Sequence, residues 1–130
     1  MNYVLMDTKR FPDKDAVKDQ RDDLTHADLS YAKLDGAIVP DAGLSDAKLN
    51  DGNFSGADLS RSDFTRSNLN RANFTNASLT RADFDGAYMS DVMLHGASYG
   101  ATDFSRAYSF KNICKDYCSK CETMMNLFLH

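Results

Sequence analysis

The chain has 130 residues, 42% of them hydrophobic, and 15 Lys+Arg against 19 Asp+Glu leave a net charge of -4. This length favours one domain and the modest apolar share favours a thin core, since domains usually run to about 100–200 residues with about 45–50% apolar residues. The acidic balance argues against direct binding to nucleic acid phosphates, and the lack of roughly 18 consecutive apolar residues argues against a membrane span.

Residues 1–21 show no repeat and are predicted to form an N-terminal cap. The short apolar run Tyr3–Met6 suits a strand lying against an open core, and the charged stretch Asp13–Arg21 favours a turn of helix. The run is shorter than the about 7–15 apolar residues of a secretory signal and no basic charge precedes it. We therefore expect the protein in the cytoplasm, or in a virion if it is phage-encoded.

From residue 24 to residue 104 a large apolar residue occupies every fifth position without interruption. A second residue, mostly Ala, stands two positions before each of them. Internal repeats of this kind decide the fold before any local propensity does. The predicted core stack consists of Leu24, Leu29, Leu34, Val39, Leu44, Leu49, Phe54, Leu59, Phe64, Leu69, Phe74, Leu79, Phe84, Met89, Leu94, Tyr99 and Phe104.

A period of five excludes both ordinary elements. On an α-helix, positions five apart rotate by roughly 140° and spread around the whole surface. On a continuous strand, the odd spacing would send successive large residues to opposite faces. The pattern instead predicts three extended residues, with the small and large ones facing inward and a polar one outward, followed by a two-residue bend rich in turn-forming residues.

Bends of one hand close into a coil, and the columns favour four sides over three. At a spacing of twenty residues, similar core residues stack, as in Leu24, Leu44, Phe64, Phe84 and Phe104. Ala at the second inward position suits a narrow interior whose walls nearly touch.

The motif Ala-(Asp/Asn)-(Leu/Phe) recurs in Ala57-Asp58-Leu59, Ala72-Asn73-Phe74 and Ala82-Asp83-Phe84. It resembles the pentapeptide repeat family over about residues 22–108. The resemblance implies an all-β fold, a right-handed quadrilateral β-helix of slightly more than four coils that forms a stubby rod. Some members of that family carry an acidic surface that resembles duplex DNA, bind type II topoisomerases and confer quinolone tolerance.

Two places interrupt the polar outward pattern. Ile38-Val39-Pro40 does so early, and Tyr88, Val92 and Met93 do so near the far end. One interpretation is that these residues are tolerated variants or packing sites for a terminal segment, and the other is that they form an exposed apolar spot for a partner. Both interpretations stay open on sequence alone.

Residues 109–130 are predicted to form a C-terminal amphipathic helical cap, because their apolar residues recur at spacings of three and four. A capping box at Ser119-x-x-Glu122 allows two short helices instead of one. Leftover apolar surface on this segment suggests a homodimer interface, which would include Phe110, Ile113, Tyr117, Met124, Met125 and Phe128.

The three cysteines of the chain all lie in this segment. The spacing Cys114-x-x-x-Cys118-x-x-Cys121 matches that of radical S-adenosylmethionine enzymes, which hold an iron–sulfur cluster in a loop of a barrel too large for this chain. On the predicted helix the thiols share the apolar face, where free Cys behaves as a small buried hydrophobe. A zinc or cluster site and intermolecular disulfides are the alternatives. We expect no metal and no other cofactor.

The sequence contains no Gly-rich phosphate loop, no nucleophile motif and no paired carboxylates in a cleft. It therefore predicts a non-enzymatic structural or protein-interaction module that acts through the faces and ends of a rigid rod on a protein partner. One alternative is a DNA mimic that binds DNA gyrase or another topoisomerase, and a second is a virion or assembly component. The acidic face for the DNA mimic would comprise Asp28, Asp35, Asp41, Asp46, Asp51 and Asp58.

Overall fold

The computed structural model describes residues 13–109, and its first element is helix α1, Lys14–Asp19. Asp13 caps the helix because its backbone is extended and its carboxylate accepts a hydrogen bond from the N–H of Ala16 at 2.9 Å. Val17 is the buried residue of α1 and belongs to the apolar core. A single 3-10 turn, Arg21–Asp23, leads into the first coil. The helical turn expected in this stretch is present, whereas the strand expected at Tyr3–Met6 lies outside the described residues.

The rest of the described chain is a coil of isolated parallel β-bridges. Each bridged residue pairs with the one twenty positions later, from Asp28 with Lys48 through Tyr88 with Tyr108, and bridged residues recur every five positions. One coil therefore has twenty residues and four sides. Within residues 13–109 no side extends beyond a single bridged residue, so the predicted three-residue pieces are bridges rather than continuous strands.

We number the sides 1 to 4 after the bridged residues Asp28, Lys33, Ile38 and Gly43, and give each corner the number of the side that it follows. The corners of the second coil are thus residues 50–51, 55–56, 60–61 and 65–66 for corners 1, 2, 3 and 4. Lys14 ties α1 to corner 2, because its ammonium donates to the backbone carbonyl of Asp35 at 2.5 Å.

The core is a stack of inward side chains along the coil axis. The large residues of the period-five series are buried, apart from Tyr99, which is partly buried against the others. Rings stack between successive coils, with centroids 4.9 Å apart for Phe64 and Phe84 and 5.1 Å apart for Phe54 and Phe74. These separations equal the coil spacing of about 4.8 Å, so each ring lies directly above the one before it.

Each corner is a tight turn of the type II kind. In the first, the N–H of Ala27 donates to the carbonyl of Leu24 at 3.0 Å, and His26 has a φ of 62°. A positive φ at the third residue alone identifies this turn, which glycine enters at no steric cost. Glycine occupies that position at Gly36, Gly56, Gly86 and Gly96, and other residues adopt the same conformation at the remaining corners up to residue 101.

The backbone hydrogen bonds of one repeat explain its sequence motif. The N–H of Asp58 donates to the preceding coil, those of Leu59 and Arg61 donate to the following coil, and that of Ala57 closes a turn. The fifth N–H, on Ser60, faces no backbone carbonyl and donates to Oδ1 of Asp58 at 3.1 Å. Asp or Asn at the outward position therefore accepts a hydrogen bond from the one backbone N–H of the repeat that has no backbone acceptor.

The early interruption of the motif follows the same rule. Ile38 stands where Asp or Asn is usual, but the residue two positions later is Pro40, which has no N–H to satisfy. Proline also favours the second position of a type II turn, which Pro40 occupies. Val39 and Val92, which stand beside the interruptions of the outward pattern, are buried inward residues, as the period-five series predicts for Val39.

Candidate interaction surfaces

The interior of the described solenoid holds no polar site. A gap beside α1 is lined only by apolar side chains, namely Val17, Leu24, Leu34, Val39, Ala42, Leu44, Leu49, Phe54 and Leu59. The buried hydroxyls of Ser67 and Thr102 donate to the backbone carbonyls of Phe64 and Leu79, both at 2.7 Å. In residues 13–109 no buried side-chain nitrogen or oxygen lacks a partner. The described coil therefore presents its chemistry to solvent through its outward side chains.

Each side presents one column of outward residues, one per coil, in the fixed register of the bridges. Side 1 carries Asp28, Lys48, Asn68, Tyr88 and Tyr108; side 2 carries Lys33, Asn53, Asn73 and Met93; side 3 carries Ile38, Asp58, Ser78 and Ser98; side 4 carries Gly43, Asp63, Asp83 and Asp103. Residues that act together on one side are thus twenty positions apart in sequence.

The six aspartates predicted as one acidic face do not share a face. Asp28 and Asp58 lie on the opposite sides 1 and 3, and Asp51, Asp35, Asp41 and Asp46 lie at corners 1, 2, 3 and 4. The prediction is wrong because it grouped residues by proximity in sequence, whereas a shared side requires the twenty-residue spacing.

Three bidentate ion pairs join two successive coils at three corners. At corner 3, Nε and Nη2 of Arg61 donate to the two carboxylate oxygens of Asp41 at 2.9 and 3.0 Å. The hydrogen bond from Arg61 holds the pKa of the Asp41 carboxyl below its ordinary value, and Arg66 and Arg71 act likewise on the pKa of their partners. We call these pairs the ion-pair belt: Asp41–Arg61, Asp46–Arg66 and Asp51–Arg71. Half of the predicted acidic residues are therefore neutralised by arginine.

Side 4 carries the exposed acidic column Asp63, Asp83 and Asp103, which our sequence analysis missed. Each carboxylate accepts a hydrogen bond from the backbone N–H two residues later, as in Ser105 to Asp103 at 2.8 Å. Hydrogen bonds from the hydroxyl and the backbone N–H of Ser105 lower the pKa of Asp103. The twenty-residue spacing of these aspartates was the signal that could have revealed the column.

An apolar patch lies on the last described coil. Tyr88 and Tyr108 are 49% and 56% exposed on side 1, and Met93 is 45% exposed on side 2. The two tyrosine rings stack with centroids 5.0 Å apart. We call these three residues the tyrosine patch. The late interruption of the outward pattern is thus an exposed apolar surface, and its Tyr108 was not singled out from the sequence.

Several predicted site residues lie outside the described residues. They are the thiols Cys114, Cys118 and Cys121 and the interface residues Phe110, Ile113, Tyr117, Met124, Met125 and Phe128. Within residues 13–109 no group of three or more His, Cys, Asp or Glu side chains is placed to hold a metal ion. The same part of the chain contains no helix that is long and apolar enough to cross a membrane.

A family model described as pentapeptide repeats matches the sequence in eight copies, over residues 27–66, 42–81 and 67–106. Among solved structures, alr5209, a pentapeptide repeat protein from Nostoc PCC 7120, is similar with a TM-score of 0.64 at 26% identity, covering 74% of this chain and 83% of that chain. For the pentapeptide repeat protein Rfr23 from the cyanobacterium Cyanothece 51142 the TM-score is 0.45 at 24% identity, covering 65% of this chain and 52% of that chain. For QnrB1, a plasmid-mediated fluoroquinolone resistance protein, the TM-score is 0.26 at 20% identity, covering 67% of this chain and 72% of that chain. The sequence matches no curated protein.

Proposed function

Since the chain belongs to the pentapeptide repeat family, we propose that it is a non-enzymatic structural and protein-interaction module that binds a protein partner through the sides of a rigid solenoid. The proposal includes a right-handed coil of slightly more than four turns, with residues 1–21 closing one end and residues 109–130 closing the other.

The observation that supports this function is the fixed outward register. A core filled by its own side chains leaves no polar cavity in the described coil, while the bridges hold one outward residue per side at every coil. Backbone hydrogen bonds to the coils before and after keep these residues in place. The surface is therefore preorganised, and binding a partner costs little conformational entropy. The outward residues also differ in charge and polarity from side to side, so a partner can bind one side in preference to the others.

Site-specific photocrosslinking tests the proposal on the full chain. A benzophenone amino acid is placed at the outward position of each side within one coil: Lys48, Asn53, Asp58 or Asp63. In the native host we expect one protein to be captured from one side or two adjacent sides, and the other sides serve as internal controls. Capture of nothing from any side, or of the same proteins from all four, would contradict a side-specific module.

The DNA mimic remains a second candidate because of the acidic column on side 4. Asp63, Asp83 and Asp103 project carboxylates from successive coils, at a spacing of about 4.8 Å. The ion-pair belt counts against this candidate, since arginines neutralise three aspartates at the corners. A gyrase supercoiling assay separates the two functions.

The matched variant for that assay changes all three residues of the acidic column to Asn. Asn keeps the oxygen that accepts the N–H of the turn, so the variant removes charge and preserves the fold. A DNA mimic inhibits supercoiling and the variant does not. Equal inhibition by both proteins, or none by the unchanged protein at micromolar concentration, removes the acidic column as a mimic of DNA.

A further inference from the structure

We propose that the tyrosine patch is a docking surface for the chain's own C-terminal segment, residues 110–130, which folds back onto sides 1 and 2 of the last coil. This contact within one chain does not depend on a protein partner, and it revises the C-terminal cap of the proposed function, because the segment covers sides 1 and 2 of the last coil rather than the open end of the core. It concerns which surface of the rod is covered by the protein itself.

The patch is a rigid apolar surface on otherwise polar sides. Tyr108 is fixed at both backbone groups, because its N–H donates to the carbonyl of Ala87 at 2.8 Å and its carbonyl accepts from the N–H of Met89 at 3.0 Å. In earlier coils the positions below Tyr88 and Met93 are the polar residues Asn68 and Asn73. A change from polar to large apolar residues in the last coil, on two adjacent sides, marks a place that is covered.

The position at which the described chain ends points to the occupant. Ser109 directly follows Tyr108 and has a φ of 66°, where an inward residue with a negative φ would continue the coil. The chain therefore turns off its regular path beside the patch, with residues 110–130 still to come. Because this segment is tethered there, its effective concentration at the patch is of millimolar order, far above that of a separate partner.

The composition of the segment matches the patch. Its apolar residues recur at helical spacing and include Phe110, Ile113 and Tyr117. Its basic residues are Lys111, Lys115 and Lys120, against Asp116 and Glu122.

The corner between the two sides of the patch carries a complementary charge. Corner 1 stacks Asp51, Arg71 and Asp91 in alternating sign, and Asp91 is the last described member. A lysine of the segment placed beside Asp91 continues this alternation, while aromatic and aliphatic side chains cover Tyr88 and Met93.

Thiol crosslinking in the full chain tests the contact, since all three native cysteines lie in the segment. The variant Met93→Cys places a thiol in the patch, and Asp103→Cys places one at the outward position of side 4 in the same coil. A short bis-maleimide joins nearby thiols without requiring disulfide geometry. We expect Met93→Cys to give a monomeric crosslink to the segment with a yield about tenfold above that of Asp103→Cys, the ratio set by 1.4 kcal/mol of docking.

Three outcomes would overturn the proposal: no crosslink at position 93, equal yields at positions 93 and 103, or covalent dimers in place of monomers. Equal yields would place the segment over the open end of the coil, and dimers would place it on a second copy. Within the Met93→Cys protein, Tyr88→Asp should lower the yield several-fold, whereas Asn68→Asp, on the same side one coil away, should leave it unchanged.

Discussion

The side-chain oxygen of Asp or Asn at the outward position accepts a hydrogen bond from the backbone N–H two residues later. We predict that Asn73→Ala destabilises the protein by about 1 kcal/mol, because the N–H of Thr75 loses the acceptor that now lies 2.9 Å away. Thr75→Pro in the same protein removes that N–H, as Pro40 does naturally, and should recover most of the loss. Urea unfolding of the two single variants and the double variant measures the coupling. Additive effects would show that the side-chain oxygen does not serve this donor.

The hydroxyl of Ser62 bridges the N–H of Ala42 and the carbonyl of Val39, where other corners have a direct hydrogen bond between these two backbone groups. The N–H of Ala42 donates to its hydroxyl at 3.1 Å, and the hydroxyl donates to the carbonyl of Val39 at 3.4 Å. Ser62→Ala therefore leaves a buried N–H without its acceptor, and we predict a loss of about 1–3 kcal/mol.

Ser67→Ala is the control for that substitution. The hydroxyl of Ser67 also donates to a backbone carbonyl, but the turn bond from the N–H of Ser67 to the carbonyl of Phe64 is present at 3.0 Å. Its removal should cost at most about 1 kcal/mol. Equal losses in thermal unfolding would mean that Ser62 does not hold the turn.

At the scale of elements, the ion-pair belt couples two coils through carboxylates of lowered pKa. Groups whose pKa is lower in the folded state stabilise it above the unfolded-state value of about 3.9, and this effect is lost as the pH falls through the folded-state value. We predict that the melting temperature falls below that pH, and that changing Asp41, Asp46 and Asp51 to Asn reduces the fall.

Melting temperatures measured from about pH 5 to about pH 2 check this prediction. The matched control changes Asp63 and Asp83 to Asn, because these exposed aspartates of side 4 receive no bidentate arginine. Added salt should weaken the belt at neutral pH, since its three arginine side chains are each more than half exposed to solvent. A variant of the belt with an unchanged pH profile would contradict the coupling.

The elements show where sequence reasoning succeeded and where it could not. The inward series followed from the period of five, and the register of twenty followed from similar core residues, such as Leu44, Phe64 and Phe84, that recur at that spacing. The partner of each outward oxygen did not, because it depends on which of five N–H groups the coil leaves unpaired. Packing details were equally hidden: Gly52 replaces the usual Ala because an added Cβ would lie 2.5 Å from the ring of Phe54.

The candidate surfaces were predicted less well than the core. The sequence showed that Tyr88 and Met93 interrupt the polar outward pattern. Only the bridge between Tyr88 and Tyr108 shows that Tyr108 lies beside them in one patch. The aspartates were grouped along the chain, although a side collects residues twenty apart. The period of five residues determines which side chains face outward. The register of twenty residues between coils determines which of them share a side.

For the whole molecule, stability is close to a sum over neighbouring coils, because each coil contacts only the next. Stacked rings such as Phe64 and Phe84 join the later coils, whereas the ion-pair belt reaches the first coil only at its corners 3 and 4. The first coil instead places Leu24 below Leu44, next to the apolar gap beside α1. Unfolding should therefore begin at the N-terminal end of the described coil, and hydrogen exchange should be fastest there.

Filling the gap tests whether this end limits stability. Val39 lines the gap, so Val39→Leu adds one buried methylene where there is room, and we predict a gain of up to about 0.8 kcal/mol. Val92→Leu makes the same change at a small inward position, where Ala is usual and the side chain is already 3% exposed. Overpacking there should cost about 1–3 kcal/mol. Urea midpoints of the two variants should move in opposite directions, and a loss at both positions would mean that the first coil is as tightly packed as the last.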